Sequence, residues 1–239
     1  MQGTTRCITL RVIKFKDSKS IATVLTREYG RLSFLVNDGK SRESVRRRAL
    51  MMPGSVFDCV ADVRENRSLQ TLRDVTVAGP MILDNPMKST IILFMCDFLN
   101  ALVRDSQPDT LLFDYVEQSI ASVVEGRSSI ANCAICFMVG LQRFMGIEPD
   151  LSTYQEGYLL DMTNGLFRST PPLQGRYLDP SESAVAVQLA RMTPENMHTY
   201  RFTREERQRV LDLLLEYFSI HFGSVRNLRS LDILRSLFD

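Results

Sequence analysis

The chain has 239 residues, of which 44% are apolar and 24% are charged, and its net charge is +1. This composition is typical of a globular protein with one or two domains, and it excludes a disordered or fibrous chain. The total hides an asymmetry: residues 1–78 hold 15 basic and 8 acidic side chains, a net of +7, whereas residues 79–239 have a net of −6. A basic first third favours a polyanionic partner such as nucleic acid.

The amino-terminal residues include cations such as Arg6 and Arg11 among apolar side chains, so they lack the continuous apolar core of a secretory signal. The most apolar stretch, residues 91–96, is followed by Asp97 and is too short to span a bilayer. The sequence therefore predicts a soluble protein of the cytoplasm, without a membrane partner.

The five cysteines are scattered, and an odd number argues against a disulfide framework. Cys133 and Cys136 form the only Cys-x-x-Cys pair, and they lie in an apolar run that predicts a buried helix. A structural zinc site needs four ligands, and neither a second pair nor a nearby histidine supplies the other two. We therefore expect buried core thiols here, with no metal and no cofactor.

Five short segments rich in β-branched and aromatic residues, separated by glycine and polar turns, predict strands. They cover residues 8–13, 21–25, 32–36, 56–63 and 69–77. The longest connection lies between the third and the fourth segment, as it does in a five-stranded OB-type barrel. The expectation is a closed or partly closed OB-fold β-barrel, and an open meander of the same strands is the alternative.

Gly79-Pro80 marks the point where the apolar pattern changes to helical spacing. Helices are predicted over about 86–104, 109–125, 129–145, 203–222 and 231–238. Thr203 and Glu206 have the spacing of a capping box at the start of the fourth. Residues 148–180 are rich in Gly and Pro and predict a loop-rich insertion around a short hairpin. The predicted fold class is α+β with two domains, an OB-fold barrel at 1–78 and an all-α helical domain at 79–239.

The sequence has few of the residues that a catalytic site needs. It contains two histidines, His198 in a polar segment and His221 near a predicted helix end. It contains no Gly-rich phosphate loop, no HExxH, no GxSxG and no DxD-type carboxylate pair. We therefore expect a protein without catalytic activity.

The basic side chains of the predicted barrel are concentrated in three of its connections. Ten of them are the candidate DNA-binding residues: Lys14, Lys16 and Lys19 after the first strand, Lys40, Arg42, Arg46, Arg47 and Arg48 after the third, and Arg64 and Arg67 after the fourth. In OB-type barrels the first-to-second and fourth-to-fifth loops flank the groove that holds an oligonucleotide. Cations at these places can follow a phosphate backbone, and we expect the run that ends at Arg48 to be its principal contact.

Three aromatic residues of the barrel are candidates for stacking on bases. Phe15, between two lysines, is the favoured one, and Tyr29 is another. Phe34 has the strand-interior spacing of Leu32 and Val36, so we expect it in the core.

Two parts of the sequence resemble one known family. Thr23–Ser33, followed by a short strand and by Gly39-Lys-Ser-Arg42, is similar to the amino-terminal barrel of the RecO recombination mediators, in which a T-x-x-x-G turn and a strand lead to a basic loop. Leu214–Gly223 and then Leu228–Leu234 resemble the closing signature of that family, where a helix ends in glycine before a short basic element. The resemblance covers nearly the whole chain.

The resemblance implies an OB-fold domain joined to a helical domain, without catalytic turnover. RecO-like proteins bind single- and double-stranded DNA, anneal complementary strands, and work with RecR to replace single-strand DNA-binding protein with RecA recombinase, so these partners and a place at the nucleoid are implied here. Many members carry a four-cysteine zinc site in the helical domain. Residues 158–168 and their flanks contain no cysteine, so zinc is expected to be absent.

The resemblance also implies that the helical domain binds the acidic, Phe-terminated carboxyl-terminal tail of single-strand DNA-binding protein. Such a tail needs an apolar pocket for its ring and a cation for its carboxylate. Arg143, between Leu141 and Phe144 near a predicted helix end, is the candidate cation. The alternative is a surface arginine that pairs with an acidic residue of a neighbouring helix.

Two other functions fit the same basic loops. A non-catalytic adaptor could bind an acidic protein through the barrel, and an RNA-binding OB-fold protein would prefer RNA to DNA of the same sequence. Binding to phosphates has a steep salt dependence that is indifferent to sequence. A salt titration with a labelled oligonucleotide therefore separates nucleic-acid binding from the adaptor function.

Overall fold

The computed structural model describes residues 2–37, 39, 42–64, 66–80, 85–103, 107–126 and 130–236, and it describes residues 42, 43, 46 and 49 by their backbone only. The chain divides into two compact units. The first comprises residues 1–127 together with 228–237, and the second comprises residues 128–227. The first unit thus contains the basic third of the sequence.

Five antiparallel strands and one helix form the amino-terminal part of the first unit. They are β1 (Gln2–Lys16), β2 (Lys19–Thr26), β3 (Gly30–Asn37), α1 (Arg42–Leu50), β4 (Val56–Asp62) and β5 (Thr71–Val77). The order in the sheet is β3-β2-β1-β4-β5. A parallel bridge between Phe34 and Gln70 joins the two outer strands, with hydrogen bonds from Gln70 N to Ser33 O (2.8 Å) and from Leu35 N to Gln70 O (3.0 Å).

This bridge closes the sheet into a barrel whose circular strand order is 1-2-3-5-4, with a helix between the third and the fourth strand. These are the features of a five-stranded Greek-key barrel of the OB type. The predicted OB-fold barrel is therefore confirmed, and the strands do not form an open meander.

The barrel core follows from the alternation of apolar residues along the strands, since successive side chains point to opposite faces. Its buried side chains include Cys7, Ala22, Val24, Phe34, Phe57 and Cys59. Phe34 has no exposed surface, so its prediction as a core residue is confirmed. Tyr29 is partly buried against the same cluster, which leaves less of its ring for a ligand.

The turn between β2 and β3 explains the T-x-x-x-G spacing, because the threonine side chain and the glycine both stabilise this turn. The Thr26 hydroxyl donates to the carbonyl oxygen of Gly30 (2.7 Å) and accepts from the amide of Tyr29 (3.1 Å). Gly30 has a φ of 68°, a left-handed conformation that glycine adopts without steric cost. The side chain of Thr26 and the flexibility of Gly30 together fix the register of β2 against β3.

Three helices pack in the same unit: α2 (Pro86–Leu102), α3 (Thr110–Glu125) and α7 (Ser230–Ser236). The amides of the first turns of α2 and α3 are capped, because Asn85 accepts from Lys88 N (3.1 Å) and Asp109 accepts from Leu112 N (2.9 Å). The Ser230 hydroxyl donates to Asp97 of α2 (2.9 Å) and so fastens α7. These helices lie close to their predicted bounds.

Two arginines of the barrel form ion pairs with α3. Arg6 contacts Asp58 of β4 (3.0 Å) and Glu117 of α3 (3.4 Å). Both Arg27 Nε and Arg27 Nη2 donate to Asp114, at 2.9 and 3.0 Å. The hydrogen bonds from Arg27 hold the pKa of Asp114 below its ordinary value. These two cations therefore have structural partners inside the unit.

The second unit contains three longer helices and a small sheet. The helices are α4 (Cys133–Phe144), α5 (Pro180–Leu189) and α6 (Arg204–His221), and the strands are β6 (Leu159–Asp161), β7 (Leu166–Arg168) and β8 (Tyr177–Leu178). Thr203 and Glu206 form the predicted capping box of α6. Helix α5 is a difference from the sequence analysis, which predicts no helix there. Asp179 and Glu182 form a second capping box at its start.

The loop-rich insertion is organised by a buried carboxylate. Asp161 is 1% exposed and accepts hydrogen bonds from Thr163 N (3.1 Å), Asn164 N (3.2 Å) and Asn164 Nδ2 (2.7 Å). Arg168 lies 3.4 Å from it. Burial opposes ionisation, but these hydrogen bonds and the nearby guanidinium outweigh it, so the pKa of Asp161 is lowered. The turn between β6 and β7 is thus built around Asp161.

Candidate nucleic-acid interface

The three basic connections of the barrel meet along strand β3. Lys19, at the start of β2, pairs with Asn37 at the end of β3. The basic run begins only a few residues beyond Asn37, and α1 carries most of it. The connection between β4 and β5 joins β3 at its middle, where Gln70 bridges Phe34. The fold therefore brings together connections that are far apart in sequence.

The β1–β2 turn presents an aromatic ring beside cations. Phe15 is 48% exposed, and Lys16 Nζ lies 5.5 Å from the centroid of its ring. Lys14 Nζ donates a hydrogen bond across the turn to the carbonyl oxygen of Asp17 (3.0 Å). Lys19 follows as the first residue of β2. The favoured stacking candidate is therefore accessible and has positive charge next to it.

The arginine-rich run is a helix and not the loop that the sequence analysis expects. Arg42, Arg46, Arg47 and Arg48 all lie within α1, whereas Lys40 lies outside the described residues. Successive residues of an α-helix are rotated by 100°, so Arg47 and Arg48 occupy helix positions about 100° apart. Arg47 and Arg48 occupy the last turn, and Arg48 is exposed. The run therefore presents cations on more than one face.

A buried glutamine fixes the β4–β5 connection, and the sequence analysis missed it. Gln70 is 6% exposed. Its side-chain oxygen accepts from Arg64 N (2.9 Å), and its amide nitrogen donates to the carbonyl oxygens of Arg64 (3.0 Å) and Arg67 (2.6 Å). The signal for it is a single amide between Leu69 and Leu72 in an otherwise strand-like segment. Gln70 thus holds the backbone of both predicted arginines.

Ion pairs separate the cations of the barrel into two groups. Arg6, Arg27, Arg64 and Arg73 have carboxylate partners, and the Arg64–Asp62 contact measures 3.2 Å. Among the residues that the structure describes, five barrel cations make no ion pair: Arg11, Lys16, Lys19, Arg48 and Arg67. Four of these five are predicted DNA-binding residues. Arg11 was not predicted, because it lies within strand β1 and not in a connection.

Arg143 lies in the last turn of α4 and is exposed. Two cavities, of about 520 and 480 Å³, lie beside α5 and α6, and both are lined by Glu182, Arg209 and Leu213. Arg143 lines neither cavity. The structure therefore does not bring the predicted partner-binding arginine to these cavities, whereas Arg209 lines both of them.

The cysteines are buried thiols. Cys133 and Cys136 are each 5% exposed on α4, so the prediction of core thiols for this pair is confirmed. Burial raises the pKa of Cys136 to about 12 and that of Cys96 to about 12, which keeps both protonated. Within the described residues, no group of three or more His, Cys, Asp or Glu side chains is placed to hold a metal ion. Nor is any described helix long and apolar enough to cross a membrane.

The closed barrel, the cations around it and the helices that follow define an OB-fold protein with a helical extension. Residues 1–81 match the family model "Recombination protein O N terminal", and residues 83–232 match "Recombination protein O C terminal". The chain belongs to the RecO family.

Curated relatives support the same assignment over the full length. The chain is 35% identical to the DNA repair protein RecO of Bacteroides fragilis, over 97% of both chains. It is 32% identical to the DNA repair protein RecO of Azobacteroides pseudotrichonymphae, over 98% of both chains. It is also 32% identical to the protein of the same name from Porphyromonas gingivalis, again over 98% of both.

Proposed function

We propose that this protein is a DNA repair and recombination mediator that binds single- and double-stranded DNA and anneals complementary strands. The observation that carries the proposal is the separation of the barrel cations into two groups. Arg6 and Arg27 are engaged with α3, whereas Lys16, Lys19 and Arg67 make no ion pair among the described residues and lie on connections that meet along β3. Cations without carboxylate partners on neighbouring connections suit a phosphate backbone.

Membership of the RecO family supports the partners that we propose. The protein acts with RecR and helps to load RecA recombinase onto single strands coated with single-strand DNA-binding protein. It works without catalytic turnover, in the cytoplasm at the nucleoid. Its helical unit, with no cysteine in the 158–168 segment, holds no zinc, and the hydrogen bonds of Asp161 order the loops there.

A salt titration tests DNA binding. Labelled single-stranded and duplex oligonucleotides are titrated at two salt concentrations. The slope of log K against log salt should be about −0.7 per contacted phosphate for single strands and about −0.9 for duplex. Lys19→Ala and Arg67→Ala should each weaken binding for every sequence and flatten this slope. Arg73→Ala removes one barrel charge that already faces Asp74 and serves as the matched control.

Three results contradict the proposal in different ways. A flat slope with tight binding to an acidic protein favours the adaptor function. A strong preference for RNA over DNA of the same sequence favours the RNA-binding function. An equal loss in Lys19→Ala and Arg73→Ala shows that only net charge matters.

We also propose that the helical unit binds the acidic tail of single-strand DNA-binding protein through Arg143. A charged hydrogen bond to the tail carboxylate contributes about 1.5–3 kcal/mol, so Arg143→Ala should weaken binding of a synthetic tail peptide by about tenfold or more. Arg209→Ala is the comparison, because Arg209 lines both cavities beside α5 and α6. If only Arg209→Ala weakens binding, the tail binds beside α5 and α6 and not at Arg143.

A further inference from the structure

Two cysteine thiols face each other in the core of the barrel. Cys7 of β1 and Cys59 of β4 are 0% and 1% exposed, and both are free thiols. Their Sγ atoms lie 3.6 Å apart, close enough for a weak hydrogen bond between the thiols, although the residues are 52 positions apart in the sequence. The fold of the barrel therefore brings together two groups that can form one covalent bond.

Strand register explains why the two side chains meet. Cys59 pairs with Thr5 and Cys7 pairs with Phe57, so the cysteines are diagonal neighbours on β1 and β4. Both point to the core face of the sheet. Diagonal neighbours have Cα atoms about 7–8 Å apart, whereas the Cα atoms that a disulfide joins are about 4.4–6.8 Å apart. A bond between the two sulfur atoms therefore requires the strands to approach each other slightly.

The backbone beside Cys59 is irregular on the side away from β1. The ladder between β4 and β5 shifts register between Asp58 and Val60, and it gives Cys59 no partner residue. On β5, Asp74 has a φ of 55°, a left-handed conformation that is unfavourable for most residues other than glycine. Both features are typical of a β-bulge, which bends a strand and leaves positions of the ladder unpaired. The segment around Cys59 can thus move toward β1 without disturbing a regular ladder on its other side.

We propose that Cys7 and Cys59 form a reversible disulfide, which makes the link between β1 and β4 sensitive to the redox state of the surroundings. The diagonal placement strains such a bond, and a strained disulfide is more easily reduced. The pair should therefore remain as two thiols in a reducing compartment and become oxidised under oxidative stress. This inference does not depend on DNA binding.

The oxidant in this reaction is a low-molecular-weight disulfide, such as oxidised glutathione. One cysteine thiolate attacks a sulfur atom of the oxidant, forms a mixed disulfide and releases one small thiol. The second cysteine attacks the protein sulfur of this mixed disulfide, forms the Cys7–Cys59 bond and releases the second small thiol. The protein loses two hydrogen atoms, and the two small thiols carry them away.

The pair reacts only when the barrel opens locally. The hydrogen bond with the Cys59 thiol and burial raise the pKa of Cys7 far above its ordinary value, and the thiolate is the reactive form. Separation of β1 from β4 exposes both thiols at once. Reclosing then brings them back into contact, which favours one bond between them over two separate mixed disulfides.

The bond would act on a contact between the barrel and helix α3. Arg6 pairs with Asp58 in the same ladder, between the two cysteines. Its side chain contacts Asp58 (3.0 Å) and Glu117 of α3 (3.4 Å). Drawing β1 and β4 together at this point displaces Arg6 relative to α3. Oxidation of two core thiols is thereby transmitted to the surface of the barrel.

Peptide mapping tests the assignment. The reduced protein is incubated with oxidised glutathione at about pH 8, near the ordinary pKa of a thiol, the remaining thiols are alkylated, and the unreduced peptides are identified by mass spectrometry. A peptide pair linked through Cys7 and Cys59 should be the principal product, and Cys96 should be alkylated. Excess reduced glutathione should restore both thiols.

The same oxidation during refolding from urea removes the need for the barrel to open. If no linked peptide forms there, or if Cys7 and Cys59 keep separate mixed disulfides, the proposal is wrong. A link that excess reduced glutathione leaves intact would contradict its reversibility.

Urea unfolding provides a second measurement with matched variants. The bond closes a loop of 52 sequence positions in the unfolded chain, so the oxidised protein should unfold at a urea concentration higher by about 0.5 M or more than the reduced protein. Cys7→Ala and Cys59→Ala should show no such shift after treatment with the oxidant. Cys96→Ala, which removes a buried thiol of α2, should retain the shift. A shift in Cys7→Ala, or its loss in Cys96→Ala, would assign the bond to other cysteines.

Discussion

Single buried polar side chains determine the shape of two loops. Gln70 makes three hydrogen bonds to the backbone of the β4–β5 connection, and Asp161 makes three with the turn after β6. In both cases a buried side chain pairs with backbone groups of exposed loop residues. Each loop therefore depends on one residue that is not itself exposed to a ligand.

Gln70→Leu should destabilise the barrel and weaken DNA binding without changing the net charge. The substitution removes three hydrogen bonds of a side chain that is 6% exposed, and one such hydrogen bond contributes about 0.5–1.5 kcal/mol. Urea unfolding should show a loss of that size, and the single-stranded affinity should fall because Arg64 and Arg67 lose their fixed positions. Gln118→Leu, on the exposed surface of α3, should change neither quantity. Normal affinity in Gln70→Leu would show that the loop binds without this support.

Asp161 should make stability depend on pH. Its pKa is lowered in the folded protein, so the unfolded chain binds the proton more tightly. The stabilisation is then present above about pH 4, the ordinary value for aspartate, and is lost as the pH falls through the folded pKa. Asp161→Asn should be less stable than the wild type by about 1–2 kcal/mol at pH 7.

Urea unfolding of both proteins at pH 7, 5 and 3.5 measures this effect. The difference between them should shrink toward the lowest pH. Asp114 and Asp150 also have lowered pKa values, but both are present in each protein and cancel in the comparison. A difference that is constant with pH would assign the effect to packing and not to ionisation.

At the scale of elements, helix α1 changes what the basic run can contribute. Because Arg47 and Arg48 lie at helix positions about 100° apart, one DNA backbone is not expected to contact all of Arg46, Arg47 and Arg48. Replacing all three by Ala should therefore flatten the slope of log K against log salt by about one to two units, with helix content by circular dichroism as the control. A loss near three units would require two strands or a distorted helix.

The element boundaries were predictable where a cap or a break stands in the sequence. Asn85-Pro86, Asp109 and Thr203 are helix starts that the structure confirms. Helix α5 was missed although Asp179-Pro180 and Glu182 are a capping box, because its Gly- and Pro-rich surroundings predict a loop. Helix α1 was missed because its few apolar residues give no helical period.

The outer face of the barrel could not be predicted from the sequence, because it depends on register. The pairing of β1 with β2 shifts between Thr9 and Arg11, and a shift of one residue exchanges the inner and outer faces of a strand. Ile13 could therefore have been a core residue and Val12 a surface one. The ten predicted DNA-binding residues were chosen by their charge and by their place in the barrel connections, so Arg11, which lies within β1, was not among them.

At the scale of the whole molecule, the basic residues of the segment 1–78 have two roles. Some form ion pairs within the fold, and others are proposed to bind DNA. Arg27→Ala should change stability only slightly, since the Arg27–Asp114 pair is partly exposed and screened by solvent, and it should leave the salt slope of DNA binding unchanged. Lys19→Ala should do the reverse, with normal stability and weaker binding. Measuring urea unfolding and oligonucleotide affinity on both proteins tests the separation, and an equal loss of affinity in the two variants would contradict it.

The accessibility of the buried cysteine thiols can be used to measure local unfolding of the chain. Cys7 and Cys59 lie in the barrel, Cys133 and Cys136 lie in α4, and Cys96 lies in α2. A thiol-modifying reagent reaches each group only when the surrounding structure opens, and mass spectrometry of proteolytic peptides identifies the modified cysteines. If α2 unfolds with the barrel, Cys96 is modified together with Cys7 and Cys59; if residues 79–239 open as one domain, Cys96 is modified together with Cys133 and Cys136 instead. The partner that protects each set, whether oligonucleotide or tail peptide, can be identified from the same spectra.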